Sequence, residues 1–173
     1  MSEMISRQRA VDEVRMMAYQ FADLYFAFVD ELRTEFGEET ALKIARRVLY
    51  RRACERAEKM IERAAELGLE RVPDNIRNTS DVPYLGWDLS LGVDHCPYGT
   101  AWNKHIAEHE WFRPFARLYC DVTDTTIAEV FTGTYSHELY ENVVLGHQNC
   151  LRTYFPDAEV AQGKRTYRPE EKA

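Results

Sequence analysis

The chain has 173 residues and a net charge of -7, with 45% hydrophobic and 29% charged residues, a balance that fits one folded domain with a substantial core. The acid excess argues against a general nucleic-acid binder, because phosphate contacts need surplus Lys and Arg. No apolar run is long enough to span a bilayer, and the opening MSEMISRQRA lacks the apolar centre of a secretory signal. The expectation is a cytoplasmic protein without membrane or nucleic-acid partners, its four cysteines reduced and none in a C-x-x-C pair.

In chain order, residues 6 to 36 read as one long helix. Met17, Phe21, Leu24, Phe28 and Leu32 recur at steps of three and four and make an apolar stripe. Tyr19, Phe26 and Val29 occupy other sides, so the helix should be covered on more than one face. That points to a homo-oligomer formed through the N-terminal helices. Gly37 ends the helix, and a second runs from Glu38 to Leu67 with Gly68 closing it. Its stripe is Leu42, Ala45, Leu49, Ala53, Ala57, Ile61 and Ala64. Arg52, Arg56, Lys59 and Arg63 alternate with glutamates on a face that reads as solvated, or else as an anionic docking patch.

Residues 72 to 86, rich in Pro, Asp, Asn and Gly, read as a linker. Residues 87 to 93 read as a strand and Tyr98 to Glu110 as a helix. Pro114 interrupts or restarts the next helix towards Tyr119, and Asp121 or Thr123 can cap a further short helix, Asp124 to Phe131. Tyr135–Leu145 and Asn149–Phe155 read as strands joined by a turn at Gly146-His147. The charged tail from Asp157 is expected to be disordered. The divisions are a helical hairpin over 1–71, a linker over 72–86, an α+β catalytic or binding core over 87–156 and a tail over 157–173. The fold class is α+β: a long helical hairpin packed on a small, mostly antiparallel sheet with short helices.

Cys96 sits where an apolar run hands over to a helix, with Pro97 suited to the first helical position. The free amides and dipole of a helix start favour negative charge, so a thiol there can be a lowered-pKa nucleophile; it can equally be core packing. His95 is its sequence neighbour, and His105, His109, His137 and His147 are equally admissible bases. Cys120 and Cys150 also fall in this half, but their spacing is not that of a chelate. His105-Ile106-Ala107-Glu108-His109 spells the inverted zincin signature H-x-x-E-H; the plainer reading is a half-exposed helix with two ordinary histidines.

The ordered series Cys96-Pro97-Tyr98, Trp102, Phe115, Tyr119-Cys120, Asp124, Gly146, Cys150 and Tyr154-Phe155 resembles the L-2-amino-thiazoline-4-carboxylic acid hydrolase family over residues 87 to 155. It departs at Thr132-Gly133-Thr134, where an Asn-Pro-like turn is expected, and at Leu151, where an acidic residue is. The resemblance implies hydrolysis of a C=N bond in a small cyclic amidine, with no cofactor and no metal. Joined to the residue reading, Cys96 is the nucleophile, and Asp124 or a histidine such as His95 shuttles protons. Tyr98 and Trp102 shape the substrate pocket. Cys120 and Cys150 are supporting groups at the substrate or alternative nucleophiles. The rival reading is a non-enzymatic sensor whose Cys and His side chains hold a metal or small ligand.

Overall fold

A computed structural model describes residues 4–87 and 96–158. Two long antiparallel helices, α1 (Arg7–Phe36) and α2 (Glu38–Leu67), open the chain. Ser6 caps α1 by accepting the Arg9 amide at 3.2 Å. The whole connection between the helices is Gly37, whose φ of 79° is a conformation that glycine adopts without steric cost. Three short turns follow, Pro73–Asn75, Ile76–Thr79 (α3) and Tyr84–Trp87. After the undescribed residues come α4 (Pro97–Glu108), a turn at Glu110–Phe112, α5 (Arg113–Thr132), β1 (Tyr135–Glu141) and β2 (Leu151–Pro156). The fold is therefore α+β, with a two-stranded antiparallel sheet in which His137 is opposite Tyr154 and Leu139 opposite Arg152.

The face that α1 turns inward is not the expected one. Val11, Ala18, Ala22 and Val29 are buried, whereas Met17 is 70% and Phe28 63% exposed. The reason is steric: small residues let α1 lie close to α4, and the Trp102 indole reaches across to donate to the Ala22 carbonyl at 3.1 Å. On α2, Ala45, Leu49, Ala53, Ala57 and Ala64 are buried as their spacing predicts. Ala41 and Met60 join them, while Leu42 and Ile61 are only partly buried.

α5 runs unbroken where two helices were expected. Pro114 lies in its first turn, where the missing N–H has no helical partner to lose. The strand expected to Leu145 ends at Glu141 instead. Asn142 accepts the Val144 amide through its side chain at 3.0 Å, and Val144 turns fully into the core, so alternation stops. The connection to β2 is then a short helical turn, Val143–Leu145, rather than a two-residue hairpin. The strand expected over 87 to 93 falls outside the described residues except for Trp87, which closes a 3-10 turn.

The segment over 72–86 is anchored to both long helices. Arg15 donates to the Gly86 carbonyl at 3.0 Å, and Arg56 pairs with Asp81 at 2.8 Å, both side chains only about 15% exposed (15% and 14%). Hairpin and C-terminal half share one core: Ala22, Val29, Ala45 and Leu49 pack with Trp102, Phe112, Phe115 and Val144.

Candidate active site

Cys96 is the N-cap of α4. Its sulfur accepts the Gly99 amide at 3.4 Å, and Pro97 occupies the first turn. Gly99 is required here, because a Cβ at that position would collide with the side chain of Val143. This contact brings the segment before β2, and with it Cys150, up to the start of α4.

Cys120 and Asp124 lie one turn apart on α5 and so share a face. Cys150, Arg152 and Tyr154 alternate along the entry to β2, which places them on one side of the strand. The Arg152 guanidinium pairs with Asp124 at 3.2 Å. Asp124 is the common neighbour: its charge acts on Cys96, Cys120 and Cys150, and also on Tyr84, Tyr98, Tyr119, Tyr154 and His137. The three C-terminal thiols thus lie within the field of one carboxylate, which their sequence spacing did not show.

The electrostatics differ from the expectation of a lowered thiol pKa. Burial pushes the Cys96 thiol up to about 11, against the Gly99 amide and the Trp87 side chain, which both favour the thiolate. Burial also raises Cys120 strongly, with Asp124 adding to it and the Asn142 side chain opposing. Cys150 is raised by burial too, partly offset by a backbone hydrogen bond at Val143 and by Arg152. Desolvation outweighs the helix terminus, and the resting thiols are neutral.

Tyr98 and Tyr119 are hydrogen-bonded to each other and stand with their rings 5.7 Å apart, with Trp87 edge-on to Tyr98 at 5.2 Å. Trp102 is fully buried behind them, 5.5 Å from the Tyr98 ring and 5.1 Å from Tyr119, so it backs the aromatic wall. His95 lies outside the described residues.

Sequence reasoning missed Arg152, Tyr84, Arg56 and the role of His137. The alternation Cys150, Arg152, Tyr154 is the signal that could have found the first. His137 is buried on β1, with Nδ1 3.0 Å from the Thr125 hydroxyl; its Nε2 has no hydrogen-bond partner among the described residues. Burial lowers its pKa to about 4, with Asp124 opposing, so the ring is neutral near pH 7.

The two histidines of the H-x-x-E-H stretch lie elsewhere. His105 stacks on Phe26 with centroids 4.0 Å apart and planes 8° from parallel, and its Nε2 is 2.8 Å from Asp23; His109 packs on Phe26 and Trp111. Among the described residues, no group of three or more His, Cys, Asp or Glu is arranged to hold a metal ion. No helix among them is long and apolar enough to cross a membrane. Comparison of the chain with protein-family models, with curated proteins and with solved structures gives no significant match.

Proposed function

We propose that the chain is a hydrolase that adds water at the C=N carbon of a small cyclic amidine of the 2-aminothiazoline type and opens the ring at its C–S bond, acting in the cytoplasm through the Cys96 thiol. The observation that carries this reading is the Asp124–Arg152 pair, 3.2 Å apart, whose carboxylate charge bears on Cys96, Cys120 and Cys150 alike. An amidine is protonated at neutral pH, and a carboxylate whose field also reaches the phenols of Tyr98, Tyr119, Tyr84 and Tyr154 suits such a cation.

The charge logic couples binding to activation. Asp124 helps to keep the thiols protonated in the empty site. A cation seated beside Asp124 offsets that repulsion and adds its own attraction for the Cys96 thiolate, working against burial, the main cause of the raised thiol pKa. The Cys96 sulfur then adds to the amidine carbon, the ring carbon–sulfur bond breaks, and the freed ring sulfur takes a proton. Water adds to the same carbon and the Cys96 sulfur leaves, so the carbon ends as a urea carbonyl. One water is consumed, its oxygen in the carbonyl and its hydrogens on the ring sulfur and ring nitrogen; no cofactor is needed. Asp124 passes the protons, the Gly99 amide supports the sulfur anion, and Cys150 is the alternative nucleophile.

Turnover of 2-aminothiazoline-4-carboxylate and related cyclic amidines by wild type, Cys96→Ser and Cys150→Ser tests this. The expected result is loss of at least about a hundredfold in kcat for Cys96→Ser, the scale of removing a covalent nucleophile. Full turnover by Cys96→Ser would remove Cys96 from the role.

A further inference from the structure

His137 is only 6% exposed, yet its ring is bonded on one side alone. Nδ1 lies 3.0 Å from the Thr125 hydroxyl, and Nε2 has no hydrogen-bond partner among the described residues. A buried polar atom left unpaired is costly, and a bound molecule that supplies the partner relieves that cost. The surroundings of the ring are those of the candidate site. Thr125 follows Asp124 on α5, and His137 stands opposite Tyr154 in the sheet, with the rings 5.2 Å apart. Arg152, two residues before Tyr154 and on the same strand face, pairs with Asp124 at 3.2 Å.

The neighbours also fix which nitrogen carries the proton. The Thr125 hydroxyl has no other partner among the described residues, so it donates to Nδ1 and leaves the proton on Nε2. The reverse arrangement leaves both the hydroxyl hydrogen and the Nε2 lone pair unpaired. Burial keeps the ring neutral near pH 7, with the Arg152 charge and against that of Asp124. A neutral donor can hold an acceptor beside Asp124 without cancelling the carboxylate, whose charge stays available to a cation.

We propose that His137 is a further binding residue of the site, its Nε2–H donating to an oxygen of the molecule seated beside Asp124. In the hydrolase reading, on which this rests, the oxygen belongs to the substrate carboxylate or to the water that adds to the amidine carbon.

Steady-state kinetics of the full chain with 2-aminothiazoline-4-carboxylate, in wild type, His137→Gln and His137→Phe, test the proposal. The first substitution keeps an N–H near the Nε2 position and loses the ring; the second keeps the ring and loses the N–H. The expected kcat/KM is within about threefold of wild type for His137→Gln and at least about tenfold lower for His137→Phe. A loss confined to KM assigns the donor to the carboxylate, and one confined to kcat assigns it to the oxygen of water. Nitrogen-15 NMR of the wild-type ring at pH 7, which needs no variant to fold, should show the proton on Nε2. Undiminished kcat/KM in His137→Phe, a loss in His137→Gln as large as in His137→Phe, or a proton on Nδ1 overturns this role of His137 and leaves the hydrolase reading standing. A wild type that does not turn over the amidine overturns the hydrolase reading, and the role of His137 with it.

Discussion

The guanidinium of Arg152 lies 3.2 Å from the carboxylate of Asp124, tying the last strand to the middle of α5, one turn from Cys120. The two partners act on the thiols with opposite sign. Asp124→Asn removes an anion that raises Cys96, Cys120 and Cys150, so all three should ionise at lower pH. Arg152→Met removes the cation that favours the Cys150 thiolate, so Cys150 should ionise at higher pH. The pH dependence of iodoacetamide alkylation, read per cysteine by peptide mass spectrometry, checks both directions. The pair is 40% and 30% exposed, so global stability should fall by only about 0.5–1 kcal/mol in either variant.

His137 makes stability depend on pH. Its folded pKa, about 4, lies below the ordinary value of 6.5 because the ring is buried. The unfolded chain therefore takes up a proton below about pH 6.5 that the folded chain refuses. The stabilisation is complete above that pH and is lost as pH falls through 4, to a total of about 3 kcal/mol. Urea unfolding between about pH 7 and pH 4 measures the slope, and His137→Gln should flatten it.

Arg56 and Asp81 form a largely buried pair joining α2 to the segment over 72–86. Asp81→Asn leaves a buried guanidinium without its counterion and should cost roughly 3 kcal/mol. Arg56→Met combined with Asp81→Asn should cost clearly less than the sum of the two single changes. Equilibrium denaturation of the four proteins gives the coupling directly.

Gly99→Ala drives a methyl group into the side chain of Val143. Overpacking of this kind destabilises by about 1–3 kcal/mol. Val143→Ala in the same chain should recover part of that loss in thermal unfolding. The single variant should also raise the alkylation rate of Cys150, because the segment that carries it is pushed off α4.

Much of the helical frame was legible in the sequence. Gly37 and Gly68 end periodic runs, and Pro97 follows an N-cap, so α1, α2 and the start of α4 follow from local chemistry. Which face of α1 turns inward was not legible, because close packing on α4 favoured Ala18 and Ala22 over the larger Met17 and Phe28. Nor was the inward turn at Val144, which depends on room in a distant core. In the site, the shared helix face of Cys120 and Asp124 was hidden by the helix break expected between them, which Pro114 at the start of α5 does not cause, and Arg152 was missed although it alternates with Cys150 and Tyr154. Arg56, on a face that read as solvated, and His137 were not readable as part of the site's surroundings, since only the tertiary fold brings Asp81 to one and Thr125 and Asp124 to the other.

In the proposed mechanism Cys96 bonds covalently to a cyclic amidine held at Asp124. Rapid quenching of the full chain with 2-aminothiazoline-4-carboxylate, followed by peptide mass mapping, measures it. The expected result is an increment on the peptide carrying Cys96 that appears before steady state and is absent in Asp124→Asn. Steady turnover with Cys96 unmodified at every quench time would contradict it.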